Sequence, residues 1–184
     1  MTELTTGKDL YTHLAGLLDY PTEDMKRKID ECVQALSKYP QYSKEVTSEI
    51  KSFQKDVESI PLDDLQGVYS YTFELAFDTT LDMGAHLYDG FKRASSLSSM
   101  KSMYKDVGFP FEEISKGELP DHLPTVLRFL GFVKDEELKT DFRKSFLNLA
   151  MEKLHRNIKD KRNLYGHLIS AIYRIIDTDV KAAD

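Results

Sequence analysis

Apolar residues recur every three or four positions through most of this chain, which is the spacing of one buried helical face. The first stripe covers residues 10–18 and stops before Pro21, and the second covers residues 25–36 and stops before Pro40. No segment shows a convincing alternation of apolar and polar residues. The pattern therefore predicts an all-α fold.

Polar residues and prolines indicate where several of these helices begin and end. Thr22 is expected to cap the second helix, Ser43 to open a third that ends before Pro61, and Asn163 to cap the last. Asp121 is expected to be the N-cap of a helix with Pro124 in its first turn, where a missing N–H does no harm. A long amphipathic helix is predicted over residues 135–158.

The middle of the chain is less regular. A fourth helix is predicted over residues 62–77, with an aromatic ridge on one side (Leu65, Tyr69, Phe73 and Phe77). An irregular stretch with two glycines follows, and then a helix over residues 95–107 that ends on Gly108. Residues 109–120 contain two prolines and a glycine and are not expected to be helical. We expect one helical bundle domain over residues 1–184 with a long irregular central connection.

Composition narrows the class of protein. The 184 residues suit one domain, and the single cysteine, Cys32, excludes a disulfide framework within the chain and any multi-cysteine metal site. The net charge of -6 argues against a nucleic-acid-binding face and favours basic partners. The N-terminal residues carry no export signal, and no apolar run approaches the length of a membrane span, so a cytoplasmic protein is expected.

Motifs of catalysis and cofactor binding are absent from the sequence. None of the five histidines lies three or four residues from another, and there is no glycine-rich phosphate loop or nucleophile elbow. Cys32 falls on the inner face of the second helix, where a small buried hydrophobe needs no further explanation. We expect no metal, no cofactor and no catalytic residue.

The most unusual segment is residues 118–124, ELPDHLP, which we call the ELPDHLP loop. Local structure accounts for its prolines and for Leu123, but not for His122 beside Asp121 with Glu118 just before them. Two carboxylates and a histidine at a helix start can bind a cationic peptide through charge-assisted hydrogen bonds. The rival interpretation is an enzyme that uses the same three residues as acid and base.

Three segments in this order carry a family resemblance: LQGVYSYTFELAFDTTLDMGAHLYDGFKR, SMYKDVG and GELPDHLPTVLRFL. They resemble the nitrate reductase delta-subunit (NarJ-type) assembly chaperones, which belong with the TorD and DmsD groups of redox-enzyme maturation proteins. The final segment, NLYGHLISAIYRII, is similar to the last helix of that family. The chain departs from the family in HLYDGFKRASS, where only Arg93 stands for a run with two arginines.

The resemblance implies an all-helical chaperone without a cofactor of its own. Such a protein binds the N-terminal, twin-arginine-type peptide of the catalytic subunit of a molybdopterin oxidoreductase while the cofactor is inserted. Nitrate, tetrathionate, selenate and dimethyl sulfoxide reductases all remain open as the client. A monomer or a weak homodimer is expected. The alternative is a helical regulatory or scaffold protein that binds a folded partner through its acidic face.

The resemblance and the residue patterns together predict a peptide-binding groove. Tyr69 and Phe73 are expected to give apolar contact, and Glu118 and Asp121 to meet the cationic end of the peptide. The full set of predicted peptide-binding residues is Tyr69, Phe73, Phe77, His86, Arg93, Glu118, Leu119, Pro120, Asp121 and His122.

Overall fold

The computed structural model describes residues 9–184, and it confirms the all-α class. This part of the chain contains ten α-helices and no β-strand beyond one isolated bridge. The helices are α1 (Leu10–Leu17), α2 (Met25–Leu36), α3 (Lys44–Glu58), α4 (Leu62–Tyr69), α5 (Gly90–Asp106), α6 (Phe111–Ser115), α7 (Leu123–Phe132), α8 (Glu136–Phe142), α9 (Asn148–Lys159) and α10 (Tyr165–Ala182).

Two sets of helices surround the core. α1 packs between α2 and α7, while α10 packs against α3 and α9. The apolar stripe of each helix faces this interior, and the buried side chains of the described residues form one cluster. Leu14, Cys32 and Ile172 have no exposed surface, which confirms that Cys32 is a core residue.

Two predicted helices are interrupted by π-helical turns, which the apolar spacing does not reveal. The predicted helix over residues 62–77 is α4 followed by a π-helical segment, Ser70–Leu75, and the long helix over 135–158 is α8 and α9 joined by another, Arg143–Leu147. In each segment a hydroxyl donates to the carbonyl four residues earlier, from Thr72 and from Ser145. Such bonds compete with the regular backbone pattern, but the same bond within α10 leaves that helix regular.

Several predicted boundaries were wrong. α5 begins at Gly90 rather than residue 95, and the stretch expected to be non-helical contains α6 after Pro110. Asp24, not Thr22, precedes the first residue of α2. Ser43 is at the predicted N-cap of α3, and Gly108 has the positive φ of +73° that suits glycine after a helix.

Within residues 9–184, no helix has both the length and the apolar character that a membrane span requires. The expectation that there is no export signal concerns in part residues 1–8, which lie outside the described residues.

Candidate functional site

The central connection and the ELPDHLP loop meet through a short antiparallel pairing. The N–H of Met83 donates to the carbonyl of Asp121 at 2.9 Å, and the N–H of Leu123 donates to the carbonyl of Leu81 at 2.8 Å. These bonds join segments that lie about forty residues apart in the sequence. The sequence-predicted residues of the connection and of the loop therefore come together in one place.

Asp121 is the centre of this place, and its role differs from the predicted one. The residue is fully buried, and its Oδ2 accepts from the Gly84 N–H at 2.9 Å and lies 3.4 Å from Arg93 Nη2. His122, not Asp121, is the N-cap position of α7, and its side chain makes no capping bond. The prediction that Asp121 caps the helix was wrong because its partners come from the distant connection.

The electrostatics of Asp121 follow from this burial. Loss of solvent raises the pKa of its carboxyl group, an effect that the nearby Arg93 guanidinium partly offsets. Asp121 Oδ1 and Arg93 Nε are buried without a hydrogen-bond partner. A Cβ atom on Gly84 would lie 2.5 Å from Asp121 Oδ2, so this close approach requires glycine.

His122 extends the network outward. Its Nδ1 lies 3.0 Å from Asp82 Oδ1 and 3.9 Å from Glu118 Oε2, while Arg93 Nη2 lies 3.6 Å from Asp82 Oδ2. The hydrogen bond from His122 is the largest effect on Asp82 and lowers the pKa of its carboxyl group. We call Asp82, Gly84, Arg93, Asp121 and His122 the Asp121 cluster.

Three side chains at this site have the spacing of metal ligands. One atom each of Asp82, Glu118 and His122 falls within 4.8 Å of the others. Arg93, however, already places a positive charge beside the Asp82 carboxylate, which disfavours a second cation there. The expectation of no metal site stays a prediction.

The remaining predicted residues of this region also make internal contacts. The buried hydroxyl of Tyr104 on α5 donates to the carbonyl of Pro120 at 2.7 Å. His86 Nε2 lies 2.9 Å from the Thr80 carbonyl, and burial lowers the pKa of the imidazole. The Lys153 ammonium donates to the His86 carbonyl at 3.1 Å. His86 and Pro120 thus hold the connection in place, as does Arg93.

The chain is similar in sequence to known proteins of one kind. No family model matches the sequence. The chain is 22% identical over 168 residues to the "Nitrate reductase molybdenum cofactor assembly chaperone NarJ" of Escherichia coli strain K12 and, equally, to that of Escherichia coli O157:H7. Each alignment covers 91% of this chain and 69% of the relative. The resemblance to NarJ-type chaperones is confirmed.

The aromatic residues of the NarJ-type pattern lie in the core. Tyr69 and Phe73 are each 5% exposed and pack edge-to-face against the ring of Tyr165, and the Tyr69 hydroxyl donates to the Leu18 carbonyl at 2.9 Å. Direct apolar contact between these two rings and a bound peptide, as predicted, would require the core to open. Only Phe77 of the ridge is accessible, at 80% exposed.

Two exposed residues of the NarJ-type segments do not belong to the aromatic ridge of the predicted helix. Tyr71 and Leu75 are 67% and 78% exposed, and within the ELPDHLP loop Glu118 and Leu119 are also exposed. The one available sequence signal for Tyr71 and Leu75 is their spacing of four residues on the side of the helix opposite to Phe73.

Proposed function

We propose that this protein is a cytoplasmic chaperone for a molybdopterin oxidoreductase. It binds the N-terminal peptide of the catalytic subunit and assists cofactor insertion and assembly before export or membrane docking. The observation that supports this proposal most strongly is the similarity to NarJ, which extends over 91% of the chain and includes the ELPDHLP loop. The protein itself holds no cofactor and catalyses no reaction.

The geometry of the Asp121 cluster favours binding over catalysis. A general acid or base must reach the proton of a substrate, but Asp121 is fully buried and its Oδ2 is occupied by Gly84 and Arg93. His122 is likewise directed at Asp82. The cluster is suited to hold the ELPDHLP loop, which leaves Glu118 and Leu119 accessible to a partner.

The first experiment is calorimetric titration with synthetic N-terminal peptides of the molybdopterin oxidoreductases of the same organism. We expect one peptide to bind with a Kd of about 1 μM or below, which corresponds to about 8 kcal/mol. A scrambled peptide of the same composition is the control. Turnover of substrates by the purified chain that is abolished by His122→Ala would overturn the proposal in favour of an enzyme.

The second candidate function is binding of a folded partner through the acidic surface of the chain, which has a net charge of -6. In that case no N-terminal peptide binds, while an intact folded partner is captured by the immobilised protein. The two candidates are therefore separated by the same pair of measurements.

A further inference from the structure

A groove with a volume of about 720 Å³ lies beside α4, away from the Asp121 cluster in the sequence. One wall is formed by Asp63, Asp64, Gly67 and Tyr71 of α4 and its π-helical continuation. The other wall is the connection between α9 and α10, and Ile60 and Val68 add apolar surface. We call this feature the acidic groove.

The α4 wall presents one continuous face. Asp64, Gly67, Tyr71 and Leu75 are three or four residues apart, so they follow each other along the same side of the helix, and all four are exposed. The face begins at Asp64, with the Asp63 carboxylate beside it, and ends with two large apolar side chains. Phe77 continues the exposed apolar surface beyond Leu75. The surface therefore matches a segment with cations at one end and an apolar face at the other.

The carboxylates of the groove are available to a ligand. Neither Asp63 nor Asp64 makes an ion pair or side-chain hydrogen bond with another described residue. Two cations line the opposite wall: Lys161 is paired with Asp78 at 2.7 Å, and Arg162 adds one positive charge against the two carboxylates of the α4 wall. The unpaired carboxylates lie in the first turn of α4.

Gly67 leaves this part of the α4 wall without a side chain. It is exposed within α4, and a Cβ atom there would meet no heavy atom within 4 Å. Glycine inside a helix costs about 1 kcal/mol relative to alanine. Neither the backbone conformation nor a close neighbour among the described residues requires glycine at this position.

We propose that the acidic groove is the docking site for a basic, amphipathic helical segment. The cationic end of the segment pairs with Asp63 and Asp64, and its apolar face packs on Tyr71 and Leu75. This inference rests on the proposed function, in which the segment is the N-terminal peptide of the catalytic subunit. Charge complementarity and the exposed apolar end of the same face select this class of occupant.

The first test fills the groove without disturbing the core. Gly67→Met places a side chain in open space at a helical position where methionine is favoured over glycine, so the melting temperature should be unchanged or higher. The Kd for the peptide identified by calorimetry should rise at least tenfold, as about 1.4 kcal/mol of apolar contact is lost. Gly67→Ala, which adds only one methyl group, is the matched control and should bind nearly normally.

The second test removes the charges. The double variant Asp63→Asn with Asp64→Asn should raise the Kd by roughly tenfold at low salt and flatten its dependence on salt. The double variant Glu112→Gln with Glu113→Gln makes the same change of two charges in the first turn of α6, and it is expected to bind as the unmodified chain does.

The possible results test the groove proposal and the proposed function separately. If the unmodified protein binds a peptide and the Gly67→Met and aspartate variants bind it equally well, the groove is wrong and the proposed function stands. Should Glu118→Gln alone abolish binding, the cationic end lies at the ELPDHLP loop instead, and the groove is again wrong. When no peptide binds the unmodified protein, the peptide-binding function and the groove proposal both fail.

Discussion

The Asp121 cluster and the acidic groove both contain aspartates, but the fold uses them in opposite ways. In the cluster, Asp121 is buried against Gly84 and Arg93, and a Cβ atom on Gly84 has no room. In the groove, Asp63 and Asp64 are exposed and unpaired, and a Cβ atom on Gly67 meets open space. The first arrangement stabilises the chain, while the second leaves charge and volume for a partner.

The difference between the two regions indicates that the recognisable motif consists largely of residues used inside the fold. The ELPDHLP loop carries the family resemblance, yet Asp121 and Pro120 are used internally, by Gly84 and by Tyr104. A motif of this kind therefore indicates how the chain folds. Under the proposed function, the residues that select a client are expected on exposed faces, which have no internal requirement to keep one residue type.

The largest expected effect comes from removing the centre of the cluster. Asp121→Ala leaves the Gly84 N–H and the partly buried Arg93 guanidinium without their acceptor, so the free energy of unfolding should fall by about 3 kcal/mol. Urea unfolding followed by circular dichroism measures it. Asp106→Ala, at the exposed end of α5, is the matched control and should change stability by less than about 0.5 kcal/mol. A loss for Asp121→Ala no larger than for the control would contradict a structural role.

Substitutions at the two glycines are expected to have intermediate effects on the free energy of unfolding, with opposite signs. Gly84→Ala forces a methyl group against the Asp121 carboxylate and should lower the free energy of unfolding by about 1–3 kcal/mol. Gly67→Ala should raise it by about 0.5–1 kcal/mol, since alanine favours the helix and nothing obstructs its methyl group. Thermal unfolding of both variants measures the pair, and equal shifts would remove the distinction between a filled and an open site.

The helical fold could be predicted from the sequence because it depends on local spacing. The stripes of α1, α2 and α3 each place their apolar residues inward, and Ser43 and Gly108 lie at predicted helix ends. The π-helical turns could not be predicted in this way. A turn of that kind shifts the register by one residue, and the spacing of apolar residues does not record where such a shift falls.

The candidate site could be predicted only in part, for a related reason. The residue types of the ELPDHLP loop marked it as a candidate site, but Asp121 was assigned to the nearest helix start. Its acceptor role instead involves Gly84, 37 residues away. Tyr69 and Phe73 were predicted to line a groove because aromatic residues suit both a core and an interface. Which side of α4 faces open space depends on where the α9–α10 connection lies, and the sequence of α4 does not contain that information.

The smallest expected effect concerns pH, and it separates the two carboxylates of the Asp121 cluster. Burial raises the pKa of Asp121 in the folded state, so stability from this group is lost as pH rises from about 4 through the folded pKa. The hydrogen bond from His122 lowers the pKa of Asp82, so its contribution is present above about pH 4 and is lost as pH falls through the folded pKa.

Urea unfolding of Asp121→Asn and Asp82→Asn between pH 2.5 and 7 tests these opposite signs. The free energy of unfolding of the unmodified chain, relative to Asp82→Asn, should increase as pH rises toward 4 and then stay level. Relative to Asp121→Asn it should stay level below about pH 4 and decline above it. Parallel curves for the two variants would mean that Asp121 is not desolvated. Asp63 and Asp64 in the groove are exposed to solvent. If Asp121 is solvated as well, only its hydrogen bonds distinguish it from these two aspartates.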